Sequence, residues 1–363
     1  FKADQSGPQA DIQNGDQANG GNGTDTLEVT EAENANNLNV LASEAVSNIE
    51  ILDITLQEVT NSESITVDAD GFSNDLTDIR FTTNDGNGDA ENDTLTVTNL
   101  SSGTNVVFNN DAGDFTINGI ANAGNSDSVS VTLAGGVTLA DIADTASTLD
   151  NVTIASNGTG DATNTVSAVG SGSNLAADAD ITLTGSQNLT VNGIADQDLG
   201  AIDGSAATGD LTVDASLVNT AGGDAFSIAG GSGGDNLDGG IIATTLTGNG
   251  NDDSLTGGTA ADTLTGGAGA DTLTGGGGND TFVFEEGDGG SASAARDEIT
   301  DLSELDKLDV TDFGDFGLSD GDTLGTSASD ASSAEIFIDR TNNRIVIETS
   351  ADGSTTEEID ISE

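Results

Sequence analysis

Short runs in which apolar residues alternate with Thr, Ser or Asn dominate residues 27–226. This alternation has the period of a β-strand with one buried and one solvent-facing side. Representative runs are residues 65–67, 95–97, 129–133, 181–183, 189–191 and 211–213. Asn-Gly pairs such as Asn118-Gly119 and Asn157-Gly158 supply turn signals between runs. The pattern predicts an all-β region, although residues 31–54 include a stretch that is compatible with a short helix.

The spacing of the runs, about 12 residues from start to start, fits two architectures. One is a parallel β-solenoid or β-roll with two or three strands per turn, and the alternative is a series of tandem β-sandwiches that precede a short β-roll. Gly and Asn are frequent and large core residues are scarce. These features favour the solenoid, whose narrow interior is filled by stacked Val, Ile and Leu.

From Gly230 the chain falls into six consecutive blocks of nine residues, with a Gly-rich first half and an Asp-x-Leu-x second half. The glycines permit a tight turn, and the apolar residue of each short strand points inward. Two blocks then make one turn of a coil, so that alternate blocks stack. The stacked loops bring Asp carboxylates and turn carbonyls together, and oxygen ligands of this kind suit Ca²⁺.

The apolar core of each turn is only two side chains, which is too little to offset the ordering of a Gly-rich backbone. Ca²⁺ binding is therefore expected to be coupled to folding. The predicted Ca²⁺-site residues are Asp235, Asp253, Asp262, Asp271, Asp280, Gly231, Gly233, Gly250, Gly267, Gly269, Gly276 and Gly278. The second block has Thr244 in place of Asp and predicts a gap, and the fourth block lacks its second pair of loop glycines and predicts a weaker site.

The pattern Gly-Gly-x-Gly-x-Asp-x-Leu-x resembles the RTX calcium-binding repeat. This resemblance implies a calcium-binding β-roll over residues 230–284. A lone copy of the motif lies at residues 20–27 and adds Asp25 to the predicted Ca²⁺ ligands. A Gly-Asp turn that leads into a strand is the alternative interpretation of that copy.

The composition changes after residue 284, where Asp297-Glu-Ile and Asp306-Lys-Leu resemble the segment that follows RTX arrays in substrates of type I secretion. A hairpin is predicted from residues 336–338 and 345–347, with its turn at Asn342-Asn343. The predicted domains are a flexible arm (1–19), a Thr/Asn-rich solenoid-like region (20–229), the β-roll (230–284) and a C-terminal cap with a secretion-signal-like segment (285–363). The resemblance implies export by an uncleaved C-terminal signal.

The chain carries 64 acidic and 6 basic residues, a formal net charge of −58, and it contains no His or Cys. Nucleic acid and anionic membranes are unsuitable partners because both require a basic surface. Imidazole- and thiol-based catalysis is excluded, and carboxylate pairs alone are uninformative among so many acids. No membrane insertion and no enzymatic activity are expected.

Runs at residues 47–54 and 185–193 are similar to those of RTX-type bacterial surface-layer proteins. The resemblance implies a secreted structural protein that self-assembles at the cell surface, with other copies of itself and a cell-surface polysaccharide as candidate partners. A calcium-stiffened adhesin is the alternative function.

Overall fold

The structure is a computed structural model of the chain. It describes residues 2–5, 11–12, 18–31, 38–41, 46–56, 64–72, 76–83, 94–109, 112–121, 127–145, 149–158, 162–170, 175–194, 199–219, 226–285, 288, 296–303, 305–310, 335–339, 344–348 and 356–361. The chain divides into two compact units. The first comprises residues 1–202 and 219–222, and the second comprises residues 203–218 and 223–363.

In the described residues of the first unit there are eighteen short strands and one 3-10 helix, Ala69–Phe72. The strands are β1 (Lys2–Gln5), β2 (Asp11–Ile12), β3 (Ala18–Asn19), β4 (Thr26–Glu31), β5 (Leu38–Leu41), β6 (Val46–Ser47), β7 (Ile51–Leu56), β8 (Ser64–Asp68), β9 (Asp78–Thr83), β10 (Thr94–Ser101), β11 (Thr104–Phe108), β12 (Ala112–Ala121), β13 (Ser128–Ala134), β14 (Thr138–Asp144), β15 (Asn151–Asn157), β16 (Asn164–Val166), β17 (Ala179–Gly185) and β18 (Leu189–Val191).

The strand β19 (Leu199–Ala207) contains the division between the units, and thirteen further strands belong to the second unit. They are β20 (Leu211–Asp214), β21 (Phe226–Ala229), β22 (Asn236–Asp238), β23 (Thr244–Gly250), β24 (Ser254–Gly258), β25 (Thr263–Ala268), β26 (Thr272–Gly276), β27 (Thr281–Val283), β28 (Asp297–Ile299), β29 (Lys307–Asp309), β30 (Glu335–Asp339), β31 (Arg344–Glu348) and β32 (Thr356–Ile361).

The strands of the first unit alternate between two parallel sheets, as the chain of a solenoid does. One sheet has the order β1-β4-β7-β9-β11-β13-β15-β17 and the other β2-β5-β8-β10-β12-β14-β16-β18, while β3 and β6 form a separate pair. Inward residues stack in columns, such as Val129, Val152 and Ile181. The rings of Phe108 and Phe115, from different sheets, meet edge to face at 5.6 Å. The core therefore lies between the two sheets.

The strands of the second unit also alternate between two parallel sheets, with a shorter turn. β21, β23, β25, β27 and β29 follow one another in one sheet, and β20, β22, β24, β26 and β28 in the other. Leu246 pairs with Leu264 and Leu264 with Phe282, so two nine-residue blocks make one turn, as predicted. After β28 the pattern changes, because β32 pairs with β28 in parallel and β31 and β30 then add in antiparallel orientation.

The fold is all-β, and the predicted parallel solenoid is confirmed. Tandem sandwiches are built from antiparallel strands, whereas every pair in the described residues is parallel except β30–β31 and β31–β32. The pairing of Ile336 with Ile347 confirms the C-terminal hairpin, whose predicted turn lies outside the described residues.

Two local features differ from the sequence predictions. The described parts of residues 31–54 are strands joined by irregular backbone and contain no helix. Strands β1, β2 and β3 lie in the predicted flexible arm and pair with β4, β5 and β6. Backbone pairing to the following turn orders these segments even though their apolar content is low. The predicted domain boundaries stay predictions. Among the described residues, no helix has the length and hydropathy needed to cross a membrane.

Candidate metal centre

Each nine-residue block consists of a loop of six residues followed by a short strand. The residue in the middle of each strand is fully buried, and these residues are Leu237, Leu246, Leu255, Leu264, Leu273 and Phe282. The sixth residue of each block is also buried, and it is Asp in every block except the second, which has Thr244. The strand therefore anchors the carboxylate at a fixed height in the coil.

In every block that carries an Asp, the first glycine lies against the carboxylate of the same block. A Cβ on Gly257 would lie 2.6 Å from Oδ2 of Asp262, and a Cβ on Gly266 would lie 2.8 Å from Cγ of Asp271. The same approach occurs at Gly230, Gly248 and Gly275. These first glycines were not among the predicted site residues. Their position at the start of every block was the available signal.

In the fourth, fifth and sixth blocks the second loop position adopts left-handed backbone dihedrals, with φ of +120° at Gly258, +98° at Gly267 and +89° at Gly276. In the third block Asn249 and Asn251 adopt φ of +79° and +68°. Asn tolerates this region better than other residues that carry a Cβ. The loop conformation is therefore retained where glycine is missing.

Most of the predicted glycine positions lie against the backbone of the preceding turn. A Cβ would overlap backbone atoms there at Gly231, Gly233, Gly267, Gly269, Gly276 and Gly278. Gly250 differs, because nothing lies within 4 Å of a Cβ built on it. The glycines thus bring loop carbonyls of successive turns close together, and their role as Ca²⁺ ligands stays a prediction.

The aspartates form two hydrogen-bonded ladders that run along the coil. In the first, the backbone N–H of Asp235 donates to Oδ1 of Asp253 at 2.7 Å, and the N–H of Asp253 donates to Oδ1 of Asp271 at 2.8 Å. In the second, the N–H of Thr244 donates to Oδ1 of Asp262 at 2.8 Å, and the N–H of Asp262 donates to Oδ1 of Asp280 at 2.9 Å. Each step spans 18 residues. The structure thus brings all five predicted aspartates into two continuous rows.

Both ladders continue beyond the last block. The N–H of Asp271 donates to Oδ1 of Asp297, and the N–H of Asp280 donates to Oδ1 of Asp306, both at 2.9 Å. Asp301 accepts from Gly275 N at 2.9 Å and Gly276 N at 2.7 Å. Sequence reasoning did not place Asp297 and Asp306 in the site, because the step here is 26 residues and the glycines are absent. Their Asp-x-Ile and Asp-x-Leu patterns, which match the second half of each block, could have indicated that they extend the ladders.

One oxygen of each central carboxylate has no hydrogen-bond donor. Oδ2 of Asp253, Asp262 and Asp271 is buried and accepts no hydrogen bond. Asp235 differs, because its Oδ1 accepts from Leu211 N at 2.7 Å and its Oδ2 from Gly231 N at 2.6 Å. The central blocks therefore carry buried negative oxygens that a cation would satisfy, whereas the carboxylate of the first block is already satisfied.

Burial favours the neutral form of the array carboxyl groups. It raises the pKa of Asp253 to about 8 and the pKa values of Asp262 and Asp271 to about 6. It also raises those of Asp235 and Asp280. At Asp306 burial acts in the same direction, but hydrogen bonds from Asp280 N and Ser303 hold the pKa below its ordinary value. Charged carboxylates in the array are therefore unfavourable unless a bound cation compensates them.

The chemistry of the donors fits Ca²⁺. No group of three or more His, Cys, Asp or Glu side chains among the described residues is arranged to hold a metal. A site here would combine carboxylate oxygens with backbone carbonyls, and Ca²⁺ accepts both kinds of ligand. Asp253, Asp262 and Asp271 would each take part in holding an ion together with loop carbonyls, and the bound ions would neutralise the buried carboxylates.

The second block lacks the carboxylate and closes its loop differently. The hydroxyl of Thr244 donates to Ile242 O at 2.9 Å and lies 3.3 Å from Gly239 O. A neutral donor thus stands where the other blocks have an acceptor. This arrangement gives a physical basis for the predicted gap. The predicted weaker site of the fourth block stays a prediction.

Comparison with known proteins identifies the array. Residues 247–288 match the RTX calcium-binding nonapeptide repeat in four copies. This repeat binds Ca²⁺, and proteins that carry it are typically secreted. The match covers the third to sixth blocks, which include Asp253, Asp262 and Asp271. No curated protein and no solved structure matches the chain significantly.

Proposed function

We propose that this chain is an extracellular structural protein that self-assembles at the cell surface, as a layer or a filament, when Ca²⁺ is bound. The observation that carries the proposal is the repetition of the outward-facing side chains. Ser130, Thr153 and Thr182 lie in register on neighbouring strands of the first unit. Thr245, Thr263 and Thr281 do so in the second. Rows of small polar side chains repeat at the strand spacing, and an identical row on another copy can match them.

The charge of the chain explains why assembly would require Ca²⁺. A net charge of −58 repels other copies of the chain at long range. Ca²⁺ bound within the array and between copies lowers this repulsion, whereas monovalent salt only screens it. The proposal assigns no catalytic activity to the chain. Its partners are other copies of itself and, at the cell surface, a polysaccharide.

The route of export belongs to the same proposal. The segment after the array would carry the signal for type I secretion. The Ca²⁺ ligands would leave the array unfolded where Ca²⁺ is scarce and fold it outside the cell. Fusion of residues 285–363 to an unrelated reporter tests this step, because the reporter is expected in the medium only when the secretion channel is present.

Electron microscopy of the purified full chain tests assembly. Ordered sheets or filaments are expected with Ca²⁺ and are expected to disappear on chelation. Mg²⁺ at equal ionic strength is the control, and it should not restore them because Mg²⁺ demands near-ideal octahedral geometry. Particles that remain monomeric at saturating Ca²⁺ would contradict self-assembly.

An adhesin-like binding module is the alternative, and one surface feature favours it. Leu217 and Ile241 are 58% and 52% exposed, and they follow the strands β20 and β22, whose last residues, Asp214 and Asp238, pair in register. Exposed apolar residues of this size are typical of contact surfaces when they cluster. Monomers that bind a cell-surface glycan, and lose that binding in the Leu217→Ser/Ile241→Ser double variant, would support the alternative.

A further inference from the structure

A loop in the first unit has the backbone conformation of the calcium-binding blocks. In residues 20–25 the second and fourth positions, Gly21 and Gly23, have φ of +93° and +123°. Left-handed dihedrals also occur at both positions in the sixth block, at Gly276 and Gly278. The family match at residues 247–288 does not include this loop.

The loop is stacked on the next turn of its own unit in the same way as the first block of the array is stacked on the third. Gly20 N donates to Ser47 O at 3.2 Å, as Gly230 N donates to Thr247 O at 2.8 Å. A Cβ on Gly20 would lie 2.5 Å from Cβ and 2.6 Å from Cγ of Asp25. It would also overlap Asn48 O, just as a Cβ on Gly230 would lie 2.7 Å from Gly248 O.

The acidic ladder is also reproduced, with Glu50 in place of an Asp. The backbone N–H of Asp25 donates to Oε2 of Glu50 at 2.7 Å, as that of Asp235 donates to Asp253. Ile51 N donates to Asp25 O at 3.1 Å, which corresponds to the bond from Ser254 N to Asp235 O. The step here is 25 residues, compared with 18 in the array, and the acid is a glutamate, whose side chain is one methylene longer than that of an aspartate.

An unsatisfied oxygen points to a ligand at this place. Oδ2 of Asp25 is buried and accepts no hydrogen bond. The same condition holds for Oδ2 of Asp253, Asp262 and Asp271 in the array. The amide of Asn19 joins the two loops, because its Oδ1 accepts from Gly21 N at 3.0 Å and from Asn48 Nδ2 at 2.9 Å. Side-chain as well as backbone hydrogen bonds therefore join the two turns.

We propose that residues 20–25 and 48–50 form a second calcium site, separate from the array and built from two turns that are not consecutive repeats. The Asp25 carboxylate and the backbone carbonyls of the two turns would hold the ion. The Glu50 carboxylate would add negative charge beside it. The site goes beyond the proposed assembly function and does not depend on it, because it fixes the first turns of a separate unit.

Hydrogen exchange with mass spectrometry on the dilute full chain tests this site locally. In the unaltered protein, Ca²⁺ is expected to slow exchange in residues 18–31 as well as in the array. In Asp25→Asn the slowing at 18–31 is expected to be lost while that of the array remains, and equilibrium dialysis should show the loss of a single Ca²⁺ per chain. Glu28→Gln is the matched control, because Glu28 is an exposed acid on the strand that follows the loop.

Each outcome of this experiment decides the question. If residues 18–31 exchange equally with Ca²⁺ and with chelator in the unaltered protein, the site is overturned even if the array responds. If Asp253→Asn removes the slowing at 18–31 and Asp25→Asn does not, the effect comes from the array and the site is again overturned. Failure of assembly in the microscope leaves this result unchanged, so the two proposals fail independently.

Discussion

The buried aspartates of the array behave differently from ordinary surface acids. Asp253, Asp262 and Asp271 are at most 3% exposed and follow one another along the two ladders. Loss of hydration makes the charged form of each unfavourable. A bound Ca²⁺ reverses that preference, since it supplies the positive charge that the surrounding chain lacks. Each of these buried carboxylates is therefore compatible with the folded array when it is either bound to Ca²⁺ or protonated.

The pH dependence of the calcium-free protein follows from these shifts. The folded-state pKa values, about 6 for Asp262 and Asp271 and about 8 for Asp253, exceed the ordinary value of 3.8. Protonation therefore stabilises the calcium-free fold fully below about pH 4, and this contribution is lost as the pH rises through 6 and 8. Circular dichroism of the chelated protein should show β signal that increases from pH 8 to pH 5. A signal that increases with pH would contradict this prediction.

Replacement of one carboxylate should have opposite effects in the two states. Asp253→Asn removes a group that is costly to ionise, so the chelated protein should lose less stability between pH 6 and pH 8. With Ca²⁺ present the same variant should bind the ion at least about tenfold more weakly, because a ligand is lost. Glu285→Gln, an exposed acid next to the array, is the control and should change neither property. Thermal unfolding with Ca²⁺ and with chelator measures both.

At the scale of the element, each loop of the array works together with the strand that follows it. The strand buries one apolar side chain and positions the Asp before it, and the first glycine leaves room for the carboxylate. The spacing of nine residues therefore predicts which carboxylates stack. It does not reveal which glycines are required by close contact. Gly250 was predicted as a site residue, yet its Cβ position is open, because contacts with the preceding turn depend on the path of two loops.

Two alanine substitutions distinguish a glycine that is required by a close contact from one that is not. Gly266→Ala places a Cβ 2.8 Å from Cβ and Cγ of Asp271 and is expected to destabilise the calcium-bound protein by about 1–3 kcal/mol. Gly250→Ala meets no atom within 4 Å and is expected to be neutral or to stabilise by up to about 1 kcal/mol. Calcium-dependent thermal unfolding compares the two. Equal destabilisation by both would show that loop flexibility, and not the carboxylate contact, decides the effect.

At the scale of the whole chain, the turn around Asn164 in the first unit satisfies its buried polar groups differently from the turns of the array. In the first unit, Nδ2 of the buried Asn164 donates to Ser156 Oγ at 2.8 Å and to Leu133 O at 3.3 Å, and its Oδ1 accepts from Val137 N at 2.8 Å. A neutral amide thus satisfies both donors and acceptors, so no cation is needed at this turn. In the array, carboxylates stand between the turns and can only accept hydrogen bonds.

Chelation should therefore open the chain unevenly. Hydrogen exchange is expected to accelerate in residues 230–284, while residues 128–157 remain protected. Asn164→Asp should destabilise the second of these segments by about 1–3 kcal/mol, since buried acceptors lose their donor. Asn192→Asp introduces the same charge at a partly exposed turn residue and is the control. Equal acceleration in both segments would show that Ca²⁺ supports the entire chain.

The sequence by itself determined the strands, the nine-residue period, the apolar column and the aspartates, because each of these follows from local alternation or from a fixed spacing. The tertiary structure decided how far the acidic ladders extend. Asp297 and Asp306 join them across a step of 26 residues, and Glu50 lies beside Asp25 across a step of 25. Such contacts depend on the length of the intervening loops, which no local period encodes. The pairing of Asp25 with Glu50 likewise becomes visible only in the stacked turns of the structure, because the loop between them follows no fixed period.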